Sequence, residues 1–244
     1  MRSAAVRLYV TAPLGPDATV ALDAGQAHYV TNVMRLEVGA ALGVFNGRDG
    51  EWSATLAEAA KKKAALGIGE RRRAQDRLPE LTLAFAPPKG PRLATIVEKA
   101  TELGATALVP VITARSVVRG VNPARLRAVA IEAAEQCGRL SVPAIAEAAP
   151  LAKFVSAWPA DRRLIFCDES GGGAPLAQMA LLAPGEPVGI LIGPEGGFSD
   201  DERAAVRRTP GVLAASLGPR ILRVDTAAIG ALAVWQAIAG DWQS

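Results

Sequence analysis

The sequence is poor in residues that many enzymes use for metal binding and nucleophilic catalysis. Its 244 residues include one histidine, His28, and two cysteines, Cys137 and Cys167. Two cysteines are too few for a disulfide framework, and together with one histidine they cannot form a plausible zinc site. We therefore expect reduced thiols and no bound metal.

Several familiar catalytic motifs are also absent. The sequence has no G-x-G-x-x-G after a strand, no G-x-x-x-x-G-K-[ST] and no G-x-S-x-G, which removes the main support for dinucleotide, P-loop and hydrolase functions. Because His28 lies in the amino-terminal third, the rest of the chain cannot contain a Ser-His-Asp or Cys-His arrangement.

Long hydrophobic runs are missing as well. The longest strongly apolar stretch, residues 227–240, is too short to span a bilayer, and the first ten residues lack the apolar segment of a signal peptide. We therefore expect a cytoplasmic protein without a membrane partner. The net charge is only +3, but six Lys and Arg side chains cluster in "KKKAALGIGERRR", residues 61–73. This cluster is either a patch facing nucleic-acid phosphates or a solvated edge.

The chain changes character near residue 76, which predicts two domains, residues 1–75 and 76–244. The first part has short strand-like segments separated by turns, including a hairpin signal at Asp49-Gly50, and this pattern favours a small β-barrel. In the second part, strand-like runs alternate with helical patterns, which indicates an α/β fold with a parallel sheet covered by helices.

Two glycine-containing segments of the second part have the same design. In "VGILIGPEGGFSD", residues 188–200, a buried strand leads into glycines and then into a capping box formed by Ser199 and Glu202. In "SLGPRILRVDT", residues 216–226, Gly218-Pro219 precedes a long apolar helix that Asp225 or Thr226 is expected to cap. Ligands bind at the carboxyl ends of such strands. The two segments either line one pocket or are two unrelated tight turns.

Six ordered segments carry a resemblance to a known family. They are "HYVTNVMRLEVGA", "NGRDGEW", "PPKGPRLATIVEKATELG", "RLRAVAIEAAEQCGR", "LIGPEGGFSDDE" and "LGPRILRVDTAAIGAL". Together they resemble the successive motifs of the ribosomal RNA small subunit methyltransferase E family, which belongs to the SPOUT methyltransferases. The resemblance covers nearly the whole chain.

The resemblance implies a fold and an activity. It implies a PUA-like RNA-binding β-barrel over residues 1–75, and over residues 76–244 a SPOUT domain: a trefoil-knotted parallel sheet with helices on both faces. It also implies a homodimer that binds S-adenosylmethionine and methylates N3 of one uridine in the 16S ribosomal RNA of the small subunit. Two alternatives remain open: a SPOUT enzyme acting on another RNA base or on ribose, and a non-catalytic RNA-binding assembly factor.

The family motifs also assign roles to residues of this sequence. The cofactor-binding candidates are Gly193, Pro194, Glu195, Gly196, Leu217, Gly218 and Leu222. For Glu195, ordering of its own loop is an equal alternative. The catalytic candidates are Arg223, Arg139 and Asp225, with Asp225 standing where the family commonly has Glu. For the arginines, ion pairs on the surface or at a dimer interface are alternatives, and for Asp225 a helix cap is. The RNA-binding candidates are Arg7, His28, Arg35, Arg48 and Lys89, although His28 is equally suited to a structural hydrogen bond.

Overall fold

The chain folds into two compact units. A computed structural model describes residues 6–60, 63–181 and 186–243. The first unit contains Met1–Arg77 together with Ala134–Val142, and the second contains Leu78–Ala133 together with Pro143–Ser244. The inclusion of residues 134–142 in the first unit was not predicted. It follows from the Arg7 guanidinium, which donates to the carbonyl oxygens of Ala134, Glu135 and Arg139.

The first unit is built around a mixed five-stranded sheet. Its elements are β1 (Arg7–Tyr9), β2 (Thr19–Ala21), α1 (Ala24–His28), a π-helical turn (Tyr29–Val33), β3 (Ala41–Phe45), β4 (Glu51–Ala60) and β5 (Lys63–Arg73). The strand order is β1-β3-β4-β5-β2. The β1–β3 pair is parallel and the other pairs are antiparallel. Aliphatic side chains from all five strands form its core. The sheet is confirmed, whereas its closure into a barrel stays a prediction.

The predicted hairpin at Asp49-Gly50 is present. Strands β3 and β4 pair with Phe45 opposite Glu51, so residues 46–50 connect them. Asn46 organises this turn, because its side-chain oxygen accepts from the backbone amides of Arg48 and Asp49. The turn residues therefore match the local chemistry that the sequence predicts.

The second unit contains the remaining helices and strands of the described residues. They are β6 (Leu81–Phe85), α2 (Arg92–Glu102), β7 (Ala107–Ile112), α3 (Pro123–Cys137), β8 (Ala144–Ile145), β9 (Ala149–Pro150), α4 (Leu151–Ser156), β10 (Arg163–Cys167), β11 (Ala174–Pro175), α5 (Leu176–Ala180), β12 (Val188–Ile192), α6 (Asp200–Arg208), β13 (Val212–Ser216), α7 (Val224–Ile238) and a 3₁₀ turn (Asp241–Gln243). Helix α3 begins in this unit, and its last turn belongs to the first.

The sheet of the second unit is parallel, as predicted. Its strand order is β11-β13-β10-β12-β6-β7-β8, with β9 beside β7, and every pair is parallel. All five residues of β12 are buried. Because successive side chains of a strand point to opposite faces, both faces of the sheet are covered.

Two groups of helices cover the sheet. Helices α4 and α6 pack in one cluster with Leu164 and Phe166 of β10. Helix α7 packs against α2 and α5 and contacts β6 and β12. The strand order therefore places the carboxyl ends of β13, β10 and β12 side by side beneath the loops that follow them.

The helix starts after the two glycine segments follow different rules. Ser199 and Glu202 form the predicted capping box of α6. The predicted cap of α7 at Asp225 or Thr226 is wrong: the N-cap is Arg223, whose side chain makes no capping hydrogen bond, and Asp225 lies in the first turn. Val224 is buried in the core and is already helical. Because this apolar residue packs as part of the helix, α7 begins before the polar residues Asp225 and Thr226 that were expected to cap it.

Candidate functional site

A cavity opens at the carboxyl ends of β10, β12 and β13. Its volume is about 120 Å³. Each of the three strands contributes its last residue and the residues that follow it: Cys167 to Glu169 with Gly171, Ile192 to Pro194, and Ser216 to Leu222. Val224 and Ala227 of α7 complete the lining. We call residues 193–197 the first glycine loop and residues 217–222 the second glycine loop. Both loops border the same cavity, as one of the two sequence interpretations predicts.

The cavity includes most of the predicted cofactor-binding residues. Those that line it are Gly193, Pro194, Leu217, Gly218 and Leu222. Glu195 and Gly196 do not line it. Glu195 is half-exposed and pairs with Arg92, with 3.3 Å between Nη1 and Oε1. The carbonyl oxygen of Gly196 accepts from Arg115 Nη1 at 2.8 Å. These contacts give both residues a role in holding the shape of the first glycine loop.

The predicted catalytic residues fall in both units. Arg223 is exposed and directly follows Leu222 of the cavity. Asp225 lies two residues further on, and its Oδ1 is buried without a hydrogen-bond partner among the described residues. Arg139 lies in the first unit, where it is 8% exposed. Its Nε donates to Ser141 Oγ at 3.2 Å. The second unit therefore brings Arg223 and Asp225 close to the cavity loops, whereas Arg139 belongs to the first unit.

Arg7, a predicted RNA contact, is buried. Its guanidinium pairs with Glu51, lies 4.5 Å from the centre of the Phe45 ring and donates to three carbonyl oxygens of residues 134–139. An RNA phosphate could reach this group only after these contacts were broken. The structure therefore gives Arg7 a structural role, which corrects the RNA-binding interpretation of this residue.

The other predicted RNA contacts are exposed. Arg35 has a positive φ of 51° at the end of the π-helical turn. His28 lies within hydrogen-bond distance of Asn32, 2.7 Å from Nδ1 to Nδ2. Arg48 donates to the carbonyl oxygen of Thr11. Lys89, in the second unit, is exposed shortly after β6. All four side chains can be reached from solvent.

The basic run at residues 61–73 divides into parts with different surroundings. Lys61 and Lys62 lie outside the described residues. Arg71 and Arg72 are exposed on β5. Arg73 pairs with the buried Glu51 and donates to the carbonyl oxygen of Gly138. At least one member of the cluster thus has a structural partner.

An ion-pair network beside the cavity was missed by sequence reasoning. Asp168 is fully buried at its side chain, and it accepts from Arg203 Nε at 3.1 Å and Arg207 Nη2 at 2.7 Å. Glu169 Oε1 accepts from Arg203 Nη2 at 2.8 Å and from the Phe198 amide at 3.2 Å. The signal was present, because both acids directly follow the strand-like run "RLIFC" and so occupy the same sheet edge as the glycine loops.

The ion-pair network also determines the ionisation state of Asp168. Burial alone raises the pKa of Asp168, but hydrogen bonds from Arg207, Ser170 and Arg203 outweigh it, so the pKa lies below the usual value of 3.8. Asp168 is therefore ionised at neutral pH. By contrast, burial raises the pKa of the Cys167 thiol to about 12. Cys167 therefore contributes a neutral side chain to the cavity.

The glycines of the two loops are required for different reasons. A Cβ at Gly193 would overlap the Phe198 ring, and a Cβ at Gly197, whose φ is +69°, would overlap the Glu169 carboxylate. At Gly218, whose φ is +102°, no atom lies within 4 Å of the Cβ position. The first glycine loop is therefore tightly packed, whereas the second leaves open space at its glycine.

Neither a metal site nor a membrane helix emerges from the part of the chain that the structure describes. Within residues 6–60, 63–181 and 186–243, no three His, Cys, Asp or Glu side chains are grouped so that they could hold a metal ion. No helix in these ranges is long and apolar enough to cross a membrane.

Comparison with known proteins places both parts of the chain in one family. Residues 75–236 match the RNA methyltransferase domain, and residues 22–68 match the RNA methyltransferase PUA domain. A ribosomal RNA small subunit methyltransferase E of Rickettsia conorii is 32% identical, with 93% of each chain covered. The protein of the same name from Synechocystis is 35% identical over 94% of this chain and 76% of the relative.

Solved structures agree with these relatives. A Legionella pneumophila protein, solved in complex with the bound cofactor SAM, superposes with a TM-score of 0.86 at 32% identity and covers 99% of this chain and 100% of its own. A ribosomal RNA small subunit methyltransferase E from Neisseria gonorrhoeae, bound to S-adenosyl methionine, gives a TM-score of 0.87 at 28% identity, with 97% and 99% covered. The chain belongs to the ribosomal RNA small subunit methyltransferase E family.

Proposed function

We propose that this protein uses S-adenosylmethionine to methylate N3 of one uridine in 16S ribosomal RNA. The observation that carries the proposal is the cavity at the carboxyl ends of β10, β12 and β13, bordered by both glycine loops. In the two relatives solved with S-adenosylmethionine the whole fold is similar, and relatives across the full chain are named for the small-subunit RNA.

The residues of the cavity fit an adenosine-containing cofactor. Leu217, Leu222 and Ile192 supply apolar surface for a flat base, and Gly193 and Gly218 carry no side chain that would keep the backbone away from it. The space around Gly218 is open enough for a close approach. We assign the adenosine to Gly193, Pro194, Leu217, Gly218 and Leu222. Glu195 and Gly196 support the first glycine loop from outside the cavity.

The residues beyond the second glycine loop are suited to the target base. When bound, S-adenosylmethionine supplies an electrophilic methyl group, so the protein has to align the base and remove the proton from uracil N3. We assign Arg223 to holding the uracil, since a nearby cation favours the N3 anion. Asp225 is the candidate acceptor of the N3 proton: its Oδ1 is buried without a hydrogen-bond partner among the described residues, so this role requires that substrate binding expose it. Burial and the Ser141 contact argue against including Arg139.

The first unit is suited to holding the RNA. N3 lies on the Watson–Crick edge, so the uridine must be unpaired or flipped, and a separate RNA-binding module can hold the surrounding strand. The match to a PUA domain supports this role. We propose phosphate or base contacts by the exposed His28, Arg35 and Arg48, with Lys89 contributing from the second unit.

The family resemblance supports further parts of the proposal. We infer that the first unit closes into a barrel, that the carboxyl-terminal segment of the second unit forms a trefoil knot, and that the protein acts as a homodimer in the cytoplasm on the small ribosomal subunit.

Two measurements test the activity. Calorimetry with the purified protein is expected to show S-adenosylmethionine binding, and absence of binding would contradict the enzyme. Mass spectrometry of 16S RNA from a deletion strain is expected to show loss of 3-methyluridine that the wild-type gene restores. Unchanged 3-methyluridine would exclude this substrate, and cofactor binding without any transfer would favour the assembly-factor alternative.

Arg223 can be tested separately. Arg223→Ala is expected to lower transfer by about 100-fold, the loss expected when a cation near developing charge is removed, while cofactor affinity changes little. Arg208→Ala is the matched control, because Arg208 is an exposed arginine of α6 that does not line the cavity. Wild-type transfer by Arg223→Ala would remove Arg223 from the mechanism.

A further inference from the structure

We infer that Glu169 is the acceptor for the ribose hydroxyls of the cofactor. This inference rests on the proposed function. Glu169 follows β10, the strand between β12 and β13, and so lies between the loops that follow those two strands. It lines the cavity, and its side chain is 34% exposed. Its place in the fold therefore puts a carboxylate at the centre of the ligand-binding edge.

The contacts of Glu169 hold one of its oxygens and leave the other available. Oε1 accepts from Arg203 Nη2 and the Phe198 amide. Within residues 6–60, 63–181 and 186–243, both hydrogen bonds that Glu169 accepts go to Oε1, and none goes to Oε2. Arg203, itself only 18% exposed, also pairs with Asp168. The carboxylate is thus fixed in place, and one oxygen retains its capacity to accept hydrogen bonds.

The acceptor atoms of the other polar side chains of the cavity already take part in hydrogen bonds. Both oxygens of Asp168 accept from arginines, and Oδ1 also accepts from the Ser170 amide and hydroxyl. Ser216 Oγ accepts from the Gly218 amide at 3.2 Å. Arg220 offers donors only. Glu169 Oε2 is therefore the carboxylate oxygen of this lining that is left for a ligand.

The ribose hydroxyls of the cofactor are suitable donors for Glu169 Oε2. The ribose of S-adenosylmethionine carries two neighbouring hydroxyls, both hydrogen-bond donors, and an ionised carboxylate can accept from both. In the dinucleotide-binding Rossmann fold, which is also a parallel α/β sheet, an acidic side chain hydrogen-bonds a ribose hydroxyl. Leu217 and Leu222 supply apolar surface for the base, so the ribose is the part of the adenosine that requires a polar partner.

Cofactor analogues test the inference. The binding of S-adenosylhomocysteine and of its 2′-deoxy and 3′-deoxy analogues would be measured by calorimetry with the wild type and with Glu169→Gln. In the wild type, removal of at least one hydroxyl is expected to weaken binding by about tenfold, as for a hydrogen bond to a charged group. In Glu169→Gln, the parent compound is expected to bind about tenfold more weakly, and the same hydroxyl removal to have less than about a threefold effect.

The control variant is Asp200→Asn. Asp200 also pairs with Arg203, but its side chain is fully exposed and does not line the cavity. Its affinities are expected to match the wild type, and thermal melting would show that both variants are folded. If the wild type does not bind S-adenosylhomocysteine, the proposed function fails and this inference fails with it. If the wild type binds all three compounds equally well, only this inference is overturned. The analogue series with the wild type gives that answer even if Glu169→Gln does not fold.

Discussion

The two glycine loops border one cavity, but they are held very differently. Side chains fix the first glycine loop: Phe198 packs against Gly193, Arg115 donates to the Gly196 carbonyl, and Arg92 pairs with Glu195. In the second glycine loop, the contact at its glycine is a 3.2 Å hydrogen bond from the Gly218 amide to Ser216, and Ile221 is 84% exposed. The fold therefore fixes the first loop, and we expect the ligand to complete the second.

A glycine can be required because its neighbours leave no room for a side chain or because a ligand needs the space. The sequence does not distinguish these two requirements, but the structure does. Gly193 and Gly197 leave room for Phe198 and Glu169, so they serve the packing of the unit itself. Gly218 needs its left-handed backbone and has open space at the Cβ position, so it leaves room for a ligand. Substitutions in the first loop and its supports should affect stability, and those in the second should affect affinity.

The largest effect is expected at the ion-pair network that joins the end of β10 to α6, the helix that follows the first glycine loop. Asp168→Asn removes a buried charge that pairs with Arg203 and Arg207, so the free energy of unfolding should fall by about 3 kcal/mol. Denaturant titration at pH 7 measures it. Asp200→Asn is the control, since it removes an exposed partner of the same arginine, and no shift of the midpoint is expected for it. An equally small effect for Asp168→Asn would show that the buried ion pairs do not stabilise the fold.

This stabilisation should depend on pH in a defined direction. The folded pKa of Asp168 is lower than its usual value of 3.8, so folding favours the ionised form. Its contribution is fully present above about pH 5 and is lost as the pH falls through the folded pKa. The difference in stability between wild type and Asp168→Asn should therefore shrink at acid pH, and a constant difference from pH 7 to pH 3 would contradict the assigned ionisation.

The next effect is expected within the first glycine loop. In Gly193→Ala, the new Cβ overlaps the Phe198 ring, so the free energy of unfolding should fall by about 2 kcal/mol. Gly230→Ala in α7 is the matched control, because no atom lies within 4 Å of that Cβ position and alanine favours a helix. The control should be as stable as the wild type or more so. Unchanged stability in Gly193→Ala would mean that this glycine is kept for the ligand alone.

Local patterns predicted the part of the site that depends on neighbours in sequence. The buried run before Gly193 and the Ser199 capping box indicated a strand, a glycine loop and a helix, and all three are present. Long-range partners carry no such signal. Arg7 meets the Arg139 carbonyl across 132 residues, and Asp168 meets Arg207 across 39. Sequence spacing cannot show such contacts, so the buried role of Arg7 and the ion-pair network of Asp168 became visible only in the structure.

A smaller effect, on affinity, is expected in the second glycine loop. Gly218→Val places a side chain in the open space beside the cavity, so S-adenosylmethionine should bind about tenfold more weakly, equivalent to about 1.4 kcal/mol. The positive φ of Gly218 adds roughly 1–3 kcal/mol of strain for a β-branched side chain, and the protein should still fold. Calorimetry and thermal melting together separate the two effects. Unchanged affinity of a folded Gly218→Val would mean that the second glycine loop does not face the ligand.

The smallest effect is expected at Gly196, which lies in the first glycine loop but outside the cavity lining. Its φ is not positive, and the nearest atom to a Cβ there is Arg115 Cβ at 3.4 Å, an ordinary contact. Gly196→Ala should therefore change stability by less than about 0.5 kcal/mol and affinity for S-adenosylmethionine by less than about twofold. Calorimetry and melting of this variant beside Gly193→Ala and Gly218→Val test whether adjacent glycines differ as the structure indicates. A tenfold loss of affinity would mean that the ligand reaches Gly196, and that the first glycine loop binds it over more of its length than the cavity shows.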